Sequence, residues 1–413
     1  MKLYKHQQVI VSADPKKIGL FLGTGSGKTR IALLLARGKT LVICPKTQKE
    51  DGNWEREAKE IGVKGLTIIS KEVFRRDHEV LGDFDTVIVD ESHTCLGVTP
   101  NTRQRKRVVI PKTSQLYEAL NAYITRAKPE RVYLCTATIL RSPMTVWGAA
   151  QVLGKAHAVG DFYAFRREYY TQLPMPGRDV WVPKSDNASK NKLAAIVRVL
   201  GYVGRLEDYF DVPYQSYHTD YIELTAEQKK IIKDLYLEYP EPIVRVGKRH
   251  QVENGVLAGD EFSKGETFTN NKISKILDYV EEFDKLVIFA KYRAQIEAIR
   301  RAVEGKRPVF VLTGDTKDRG ELLKQANNAS QGVFICQAQI SSGWELPSWP
   351  VMLFASRTYS LVDYDQALGR IQRVNNIKKN LYINLVVRGG VDEAVDKALK
   401  NKQDFNERLY AGV

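Results

Sequence analysis

The chain has 413 residues, of which 43% are hydrophobic and 27% charged, the composition of a soluble globular protein with two or three domains. It contains no run of about 18 apolar residues, and its start lacks the apolar stretch of a signal peptide, so the sequence predicts neither a membrane span nor secretion. Lys and Arg outnumber Asp and Glu by 14, and this positive charge favours a polyanionic partner without establishing one.

The four cysteines are scattered along the chain and show no metal-ligand spacing: Cys44, Cys95, Cys135 and Cys336. This distribution favours a reducing, intracellular and therefore cytoplasmic location, without a zinc site.

Two blocks of the chain alternate short β-branched runs with amphipathic stretches, a pattern typical of parallel strands joined by crossover helices. The candidate strands of the first block are 18–22, 40–44, 66–69, 86–89 and 132–135. Those of the second block are 286–290, 309–312, 333–335, 351–354 and 382–387. The sequence predicts an α/β protein with two domains, each a parallel sheet flanked by helices.

Between the blocks, aromatic and charged residues mix with helical periodicity and two Pro-containing breaks, QLPMPGRDVWVP and EYPEPIV. We expect a helical insertion or linker region there. The predicted boundaries are 1–154 for the first α/β domain, 155–270 for the insertion and 271–413 for the second α/β domain.

A glycine-rich segment, GTGSGKT, directly follows the first candidate strand and precedes a helix-forming stretch, the arrangement that a phosphate-binding loop requires. The strict pattern G-x-x-x-x-G-K-[ST] has glycine where this chain has Leu22. Backbone N–H groups of such a loop bind phosphate oxygens, Lys28 would reach the β and γ phosphates, and the Thr29 hydroxyl would hold Mg²⁺. The predicted nucleotide contacts are Gly23, Thr24, Gly25, Ser26, Gly27, Lys28 and Thr29.

An acidic pair ends the strand in DTVIVDESH. Asp90 is predicted to hold Mg²⁺, and Glu91 to orient or deprotonate the attacking water. Such a pair alone is more often a solvated helix start, but the upstream phosphate loop favours the catalytic interpretation.

With these motifs the chain resembles superfamily 2 helicases and translocases, and several stretches resemble their Swi/Snf branch. That resemblance implies two tandem RecA-like domains that bind ATP between them, and it tolerates Leu22 in the loop. LYKHQ is similar to the segment whose glutamine reads adenine, which points to Gln7. LVICPKTQKEDGNWEREAKE resembles motif Ia, with Pro45 and Lys46 as polynucleotide contacts, and TIISKEVF resembles motif Ib around Ser70.

Further motifs follow the same family pattern. LCTAT resembles motif III, with Thr136 and Thr138 suited to couple the nucleotide and polynucleotide sites. VIFAKYRAQIEAI resembles motif IV and adds Lys291 as a polynucleotide contact. CQAQISSGWELP resembles motif V. There the resemblance places Ser341 and Ser342 near the phosphate backbone and Gly343 and Glu345 at the nucleotide, although Glu345 departs from the usual Asn or Asp.

DYDQALGRIQRVNN resembles motif VI, with Gln366, Arg370 and Arg373 as catalytic residues. Their spacing of i, i+4 and i+7 would put all three on one face of a helix. Guanidinium groups of Arg370 and Arg373 would neutralise charge that develops on the γ phosphate, as arginine fingers do.

The stretch TPNTRQRKRVVIPK adds a basic segment after the acidic pair. We predict a mobile loop in which Arg103, Arg105, Lys106 and Arg107 contact phosphates without reading sequence; a solvated surface loop is the alternative. The aromatic residues of DFYAFRREYYTQ have helical spacing, which favours core packing over base stacking.

The function implied is that of a DNA helicase or translocase that depends on ATP and Mg²⁺. It would act as a monomer on duplex or branched DNA without sequence specificity. It would remodel forks or junctions by unwinding, branch migration or annealing. So small a motor would suit a compact genome such as a phage's. The alternatives are an RNA helicase, a small-molecule kinase and a nonhydrolysing nucleic-acid clamp.

Overall fold

The computed structural model describes residues 3–105, 108–175, 178–210, 214–259, 265–340, 344–372 and 379–401. The chain divides into two compact units, Met1–Phe210 and Asp211–Val413. Each unit contains a six-stranded, all-parallel sheet flanked by helices. The predicted α/β fold with two parallel-sheet domains is confirmed.

The strands of the first unit are β1 (Lys17–Leu22), β2 (Thr40–Cys44), β3 (Leu66–Ser70), β4 (Thr86–Val89), β5 (Val98–Arg105), β6 (Val108–Thr113), β7 (Arg131–Cys135), β8 (Tyr170–Met175), β9 (Arg178–Pro183) and β10 (Gly201–Gly204). Its parallel sheet has the order β10-β1-β7-β4-β2-β3. Its helices are α1 (Lys5–Ala13), α2 (Lys28–Leu35), α3 (Lys46–Glu50), α4 (Asn53–Ile61), α5 (Lys71–Asp77), α6 (Gln115–Ala127), α7 (Pro143–Val152), α8 (Phe162–Tyr169) and α9 (Asn187–Leu200).

The strands of the second unit are β11 (Gln215–Ile222), β12 (Val256–Leu257), β13 (Glu266–Thr267), β14 (Lys285–Ala290), β15 (Val309–Leu312), β16 (Gly332–Gln337), β17 (Val351–Phe354) and β18 (Asn380–Val387). Its parallel sheet has the order β11-β18-β17-β14-β16-β15. Its helices are α10 (Ala226–Glu238), α11 (Pro242–Glu253), α12 (Asn271–Glu282), α13 (Arg293–Val303), α14 (Arg319–Asn328), α15 (Leu361–Leu368) and α16 (Val391–Lys400).

The central strands are buried on both faces, because helices cover both sides of each sheet. Along β2, Leu41 and Ile43 pack into one core cluster while Val42 and Cys44 pack into another. This alternation follows from the two-residue period of a strand. Since both faces are apolar, these strands read in the sequence as continuous hydrophobic runs.

The segment 155–270, predicted as one insertion, is divided between the two units. Residues up to Phe210 belong to the first unit, where β10 pairs with β1 at the edge of the sheet. The remainder belongs to the second unit, where β11 pairs with β18 along eight residues. Both strands complete a sheet, which explains why this segment does not form a domain of its own.

The basic stretch after the acidic pair is not a loop. It forms an antiparallel hairpin of β5 and β6, with Arg105 opposite Val108. A second antiparallel hairpin, β8 and β9, occupies the first Pro-containing break. No helix within the described residues is long and apolar enough to cross a membrane.

Candidate active site

The phosphate loop joins β1 to α2 at the carboxyl end of the parallel sheet. Gly25 and Gly27 have φ of 79° and 81°, left-handed values that favour glycine. The Lys28 ammonium donates to the carbonyl oxygens of Leu22 at 2.8 Å and Gly23 at 3.0 Å, so its charge lies against the loop. Leu22 contributes a backbone oxygen while its side chain is buried in the core. The departure from the strict pattern therefore leaves the loop geometry intact.

Helix α1 supports the same loop. Gln7 is 4% exposed and donates from Nε2 to the Ser26 carbonyl oxygen at 3.2 Å. The same oxygen lies 2.9 Å from His6 Nε2, and the His6 ring stacks on Tyr209 with centroids 4.1 Å apart. A Cβ atom on Gly27 would lie 2.3 Å from Gln7 Nε2. Gln7 thus lies beside the loop, as its predicted adenine contact requires, and that contact stays a prediction.

Asp90 and the phosphate loop lie at the same end of the sheet, the carboxyl end of its strands. They follow β4 and β1, which are separated in the sheet by β7 alone, and parallel strands end on the same side. The Asp90 carboxylate accepts hydrogen bonds from Trp54 Nε1 at 3.3 Å and from the Glu91 amide at 2.8 Å. Burial, followed by the charge of Glu91, raises the pKa of Asp90 to about 6, and Lys28 is among the cations that oppose this shift. The surroundings of Asp90 therefore let its carboxyl group keep a proton up to a higher pH than an ordinary aspartate does.

Glu91 has a left-handed backbone conformation, with φ 42° and ψ 50°, which is rare for a residue other than glycine and is concentrated at functional sites. Lys71 Nζ donates to the carbonyl oxygen of Glu91 at 2.9 Å. Its Oε2 is buried and has no hydrogen-bond partner among the described residues, while His93 Nδ1 lies 3.4 Å away. Such a carboxylate oxygen can accept a proton or a hydrogen bond from water.

His93 joins the acidic pair to the Thr136 segment. Its Nδ1 lies 2.9 Å from Thr136 Oγ1 and 3.2 Å from Thr138 Oγ1. Burial lowers the pKa of His93 to about 3, so the ring is neutral at physiological pH. The structure thus places the Thr136–Thr138 segment against His93 of the DESH segment, and the predicted coupling role of the threonines stays a prediction.

Gln366 lies on α15, but the helix ends at Leu368. The prediction of one helix carrying Gln366, Arg370 and Arg373 is therefore wrong at Arg370, which follows Gly369 in a turn. Its Nε donates to the Gln366 carbonyl oxygen at 3.0 Å and its Nη1 to the Trp344 carbonyl oxygen at 2.9 Å. Arg370 therefore joins α15 to the segment at Trp344 within the second unit.

Several predicted residues lie outside the described part of the chain: Arg373, Ser341, Ser342, Gly343, Lys106 and Arg107. Glu345 is described and exposed, and its carbonyl oxygen accepts from Asn327 Nδ2 at 3.3 Å. The predicted contact of Glu345 with nucleotide stays a prediction.

The predicted polynucleotide contacts of the first unit follow neighbouring strands. Pro45 precedes α3 after β2, and the Lys46 side chain is 70% exposed and 3.6 Å from Glu50. Ser70 ends β3 and caps α5, with its Oγ accepting from the Val73 amide at 3.3 Å.

The remaining predicted contacts lie elsewhere in each unit. Arg103, on β5, forms an ion pair with Glu118, and Arg105 ends the same strand. In the second unit, Lys291 follows β14 and is half-buried.

Trp54 and Lys71 were not predicted to contact the acidic pair. Trp54 reaches Asp90 from α4 and Lys71 reaches Glu91 from α5. A partial signal existed, because both residues follow strands that end at the same sheet edge as β4. The side-chain contacts themselves depend on the packing of helices that the sequence does not fix.

Residues 270–375 match the family described as helicase conserved C-terminal domain. The predicted resemblance to helicases is confirmed for this part of the chain. Comparison with curated proteins gave no match. Among solved structures, the Sulfolobus solfataricus SWI2/SNF2 ATPase core in complex with dsDNA is similar, at 18% sequence identity and a TM-score of 0.41, with 100% of this chain and 92% of that chain covered.

Proposed function

We propose that the protein is an ATP-dependent DNA translocase that moves on duplex or branched DNA. One observation carries the proposal: the phosphate loop with Lys28 against its carbonyls lies on the same sheet edge as Asp90 and Glu91. This arrangement precedes a helicase conserved C-terminal domain in the same chain. A phosphate loop alone would suit a kinase, whereas the second domain favours a motor.

The described residues of the first unit fit a nucleotide with Mg²⁺. The left-handed glycines present backbone N–H groups, Lys28 supplies a cation, and Thr29 and Asp90 supply the oxygen ligands that Mg²⁺ prefers. When bound, Mg²⁺ neutralises charge on the phosphate oxygens. The buried Oε2 of Glu91 accepts a hydrogen bond from the attacking water and orients it.

Arg370 is the proposed catalytic arginine of the second unit. Its Nε and Nη1 donate to carbonyl oxygens, bonds that a guanidinium can exchange for stronger charge-assisted bonds to phosphate. Gln366 is its proposed partner, because the Gln366 carbonyl already holds the Arg370 side chain. Arg373 is proposed for the same role from the motif alone.

DNA is the proposed polymer because several stretches, among them residues 41–60, resemble the Swi/Snf branch. Lys46, Lys291 and the basic hairpin β5–β6 offer cations for phosphate contacts, which give affinity without sequence readout. The proposed activities are translocation, fork remodelling and branch migration.

The proposal is tested by measuring ATP turnover with no polymer, single-stranded DNA, duplex, forks, four-way junctions and RNA. We expect stimulation by duplex or branched DNA. Stimulation by RNA alone would instead identify an RNA helicase, and turnover indifferent to every polymer would favour a kinase. Binding of DNA without any turnover would identify a clamp.

A strand-displacement assay on forks then separates unwinding from travel along intact duplex. Displacement of a bound protein from duplex DNA without strand separation would identify a translocase. Sedimentation of the protein with and without DNA tests the proposed monomer.

A further inference from the structure

A buried polar cluster lies in the second unit. Its members are at most 6% exposed and come from four helices and the segment after β17: His250, Asn254, Lys272, Gln295, Ser356 and Asp392. A buried charge is costly unless it is paired. The hydrogen bonds of the buried polar cluster form two routes, and both end at Lys291.

The first route passes through His250. Its Nε2 lies 2.9 Å from Asp392 Oδ1, and its Nδ1 lies 2.7 Å from the Tyr292 hydroxyl and 2.9 Å from the Tyr359 hydroxyl. Burial lowers the pKa of His250, while neighbouring cations and hydrogen bonds keep the pKa of Asp392 low. A neutral ring that donates from Nε2 to the carboxylate leaves Nδ1 as an acceptor for the two hydroxyl groups.

The side chain of Lys291 packs against the Tyr359 ring. The Lys291 ammonium lies 3.1 Å from the centroid of that ring and 5.4 Å from the centroid of Tyr292. Both distances are within the range of a cation–π interaction. Because His250 contacts the Tyr359 hydroxyl, it orients a ring that the Lys291 ammonium contacts.

The second route fixes the backbone of the same lysine. Lys272 Nζ donates to Asp392 Oδ2 at 2.6 Å and to Asn254 Oδ1 at 2.7 Å. Gln295 Nε2 donates to the same Asn254 oxygen at 3.1 Å, and Ser356 Oγ donates to Gln295 Oε1 at 2.6 Å. The route ends where the Lys291 amide donates to Ser356 Oγ at 2.7 Å.

We infer that His250 is a positioning residue that aligns Tyr359 and thereby holds the Lys291 ammonium for contact with a phosphate of the DNA backbone. The inference rests on the proposed function. A lysine side chain has four rotatable bonds, and ordering it on binding costs free energy that a preformed position avoids. His250 itself is fully buried, so it acts through the tyrosines and not by touching DNA.

The test is a titration of duplex DNA into the ATPase assay with His250→Asn and His250→Gln. Asn keeps an amide near the position of Nδ1, which faces the tyrosines, whereas Gln places its amide near Nε2. We expect the DNA concentration for half-maximal stimulation to rise about threefold to tenfold in His250→Gln and less in His250→Asn. Turnover at saturating DNA should stay at the wild-type level in both.

A double-mutant cycle with Lys291→Ala separates positioning from general destabilisation. If His250 acts through Lys291, adding His250→Gln to Lys291→Ala produces no further rise in the DNA requirement. Tyr359→Phe keeps the ring and removes only the hydroxyl, so it provides a second cycle if His250 variants fold poorly. His218→Asn, on the exposed edge strand β11, is the matched control and should match wild type.

Additive effects in both cycles, or an unchanged DNA requirement in the His250 and Tyr359 variants, would overturn the inference while leaving the proposed function in place. A wild-type protein that DNA does not stimulate would overturn both.

Discussion

At the scale of single residues, the phosphate loop excludes a side chain at Gly27. Its φ is 81°, and a Cβ atom there would collide with Gln7 Nε2. Gly52 has a similar φ of 61°, but nothing lies within 4 Å of a Cβ placed on it. A substitution at Gly52 therefore introduces backbone strain alone, whereas one at Gly27 introduces backbone strain and a collision with Gln7.

We expect Gly27→Ala and Gly52→Ala both to lower the free energy of unfolding by about 1 kcal/mol, the cost of left-handed backbone for alanine. Gly27→Ala should also raise the KM for ATP, because Gln7 must move away from the loop. Steady-state kinetics and thermal unfolding measure the two effects. Equal KM values in both variants would show that Gln7 does not position the loop.

Asp90 is expected to trade stability for activity. Its pKa in the folded protein, about 6, lies above the ordinary value of 3.8. The stabilisation from binding this proton is complete below pH 3.8 and is lost as the pH rises through 6. At pH 7.5 the buried charge therefore destabilises the nucleotide-free protein, and Asp90→Asn should unfold at a higher temperature while losing ATP turnover.

The stability difference between Asp90→Asn and wild type, measured by thermal unfolding without nucleotide and Mg²⁺, should shrink as the pH falls from 7 to 4. Asp14→Asn is the control of opposite sign, since hydrogen bonding to Arg131 lowers the pKa of Asp14. That variant should be less stable than wild type at pH 7.5. An Asp90→Asn protein that unfolds earlier than wild type at pH 7.5 contradicts the account.

At the scale of elements, Arg166 on α8 contacts both hairpins of the first unit. Its Nη1 donates to the Pro100 carbonyl oxygen of β5 at 3.0 Å, and its guanidinium lies 4.0 Å from the ring centroid of Trp181 on β9. Phe162 and Phe165 of the same helix are buried, as the helical spacing of the aromatic residues predicted.

Removing Arg166 should loosen both hairpins together. We expect Arg166→Ala to lower the free energy of unfolding by about 1–3 kcal/mol, because it removes the hydrogen bond to Pro100 and the cation–π contacts with Trp181, Phe162 and Tyr163. DNA affinity should fall while the KM for ATP stays constant. Arg167→Ala removes an exposed charge from the same helix and is the control. If the two variants lose DNA affinity equally, the loss in Arg166→Ala comes from its charge and not from its contacts with the hairpins.

Two serines that cap helices allow the loss of a helix cap to be distinguished from the loss of a DNA contact. Ser70 caps α5, and Ser114 caps α6 by accepting from the Tyr117 amide at 3.2 Å. Each substitution by alanine should lower the free energy of unfolding by about 1 kcal/mol. Only Ser70→Ala should weaken DNA binding, measured by fluorescence anisotropy. If Ser114→Ala weakens binding equally, Ser70 has a structural role alone.

At the scale of the whole molecule, the sequence predicted the central strands to within two residues at either end, because strands buried on both faces form continuous apolar runs. It also predicted the edge strands β3 and β15, but it missed the edge strands β10 and β11 and the antiparallel hairpins. β10 has four residues and begins and ends with glycine, and β11 is mostly polar, with Tyr217 and His218 exposed. Such strands are stabilised by their partners in the sheet and carry little signal of their own.

The candidate catalytic side chains could be proposed from the sequence because phosphate chemistry needs a fixed order of residue types after particular strands. Their surroundings were not. The contacts of Trp54 with Asp90 and of His250 with Asp392 join residues 36 and 142 positions apart. Only helix packing determines such pairs, and the pattern of a single segment does not encode it.

The measurement that tests the central claim most directly is DNA-stimulated ATP turnover in wild type, Lys28→Ala and Arg370→Ala, with Arg300→Ala as the control for a half-buried arginine of the second unit that pairs with Glu297 and Glu304. We expect duplex DNA to stimulate wild type and Arg300→Ala equally, and each of the other two substitutions to reduce turnover by about a hundredfold or more. Wild-type turnover in either Lys28→Ala or Arg370→Ala would contradict the account.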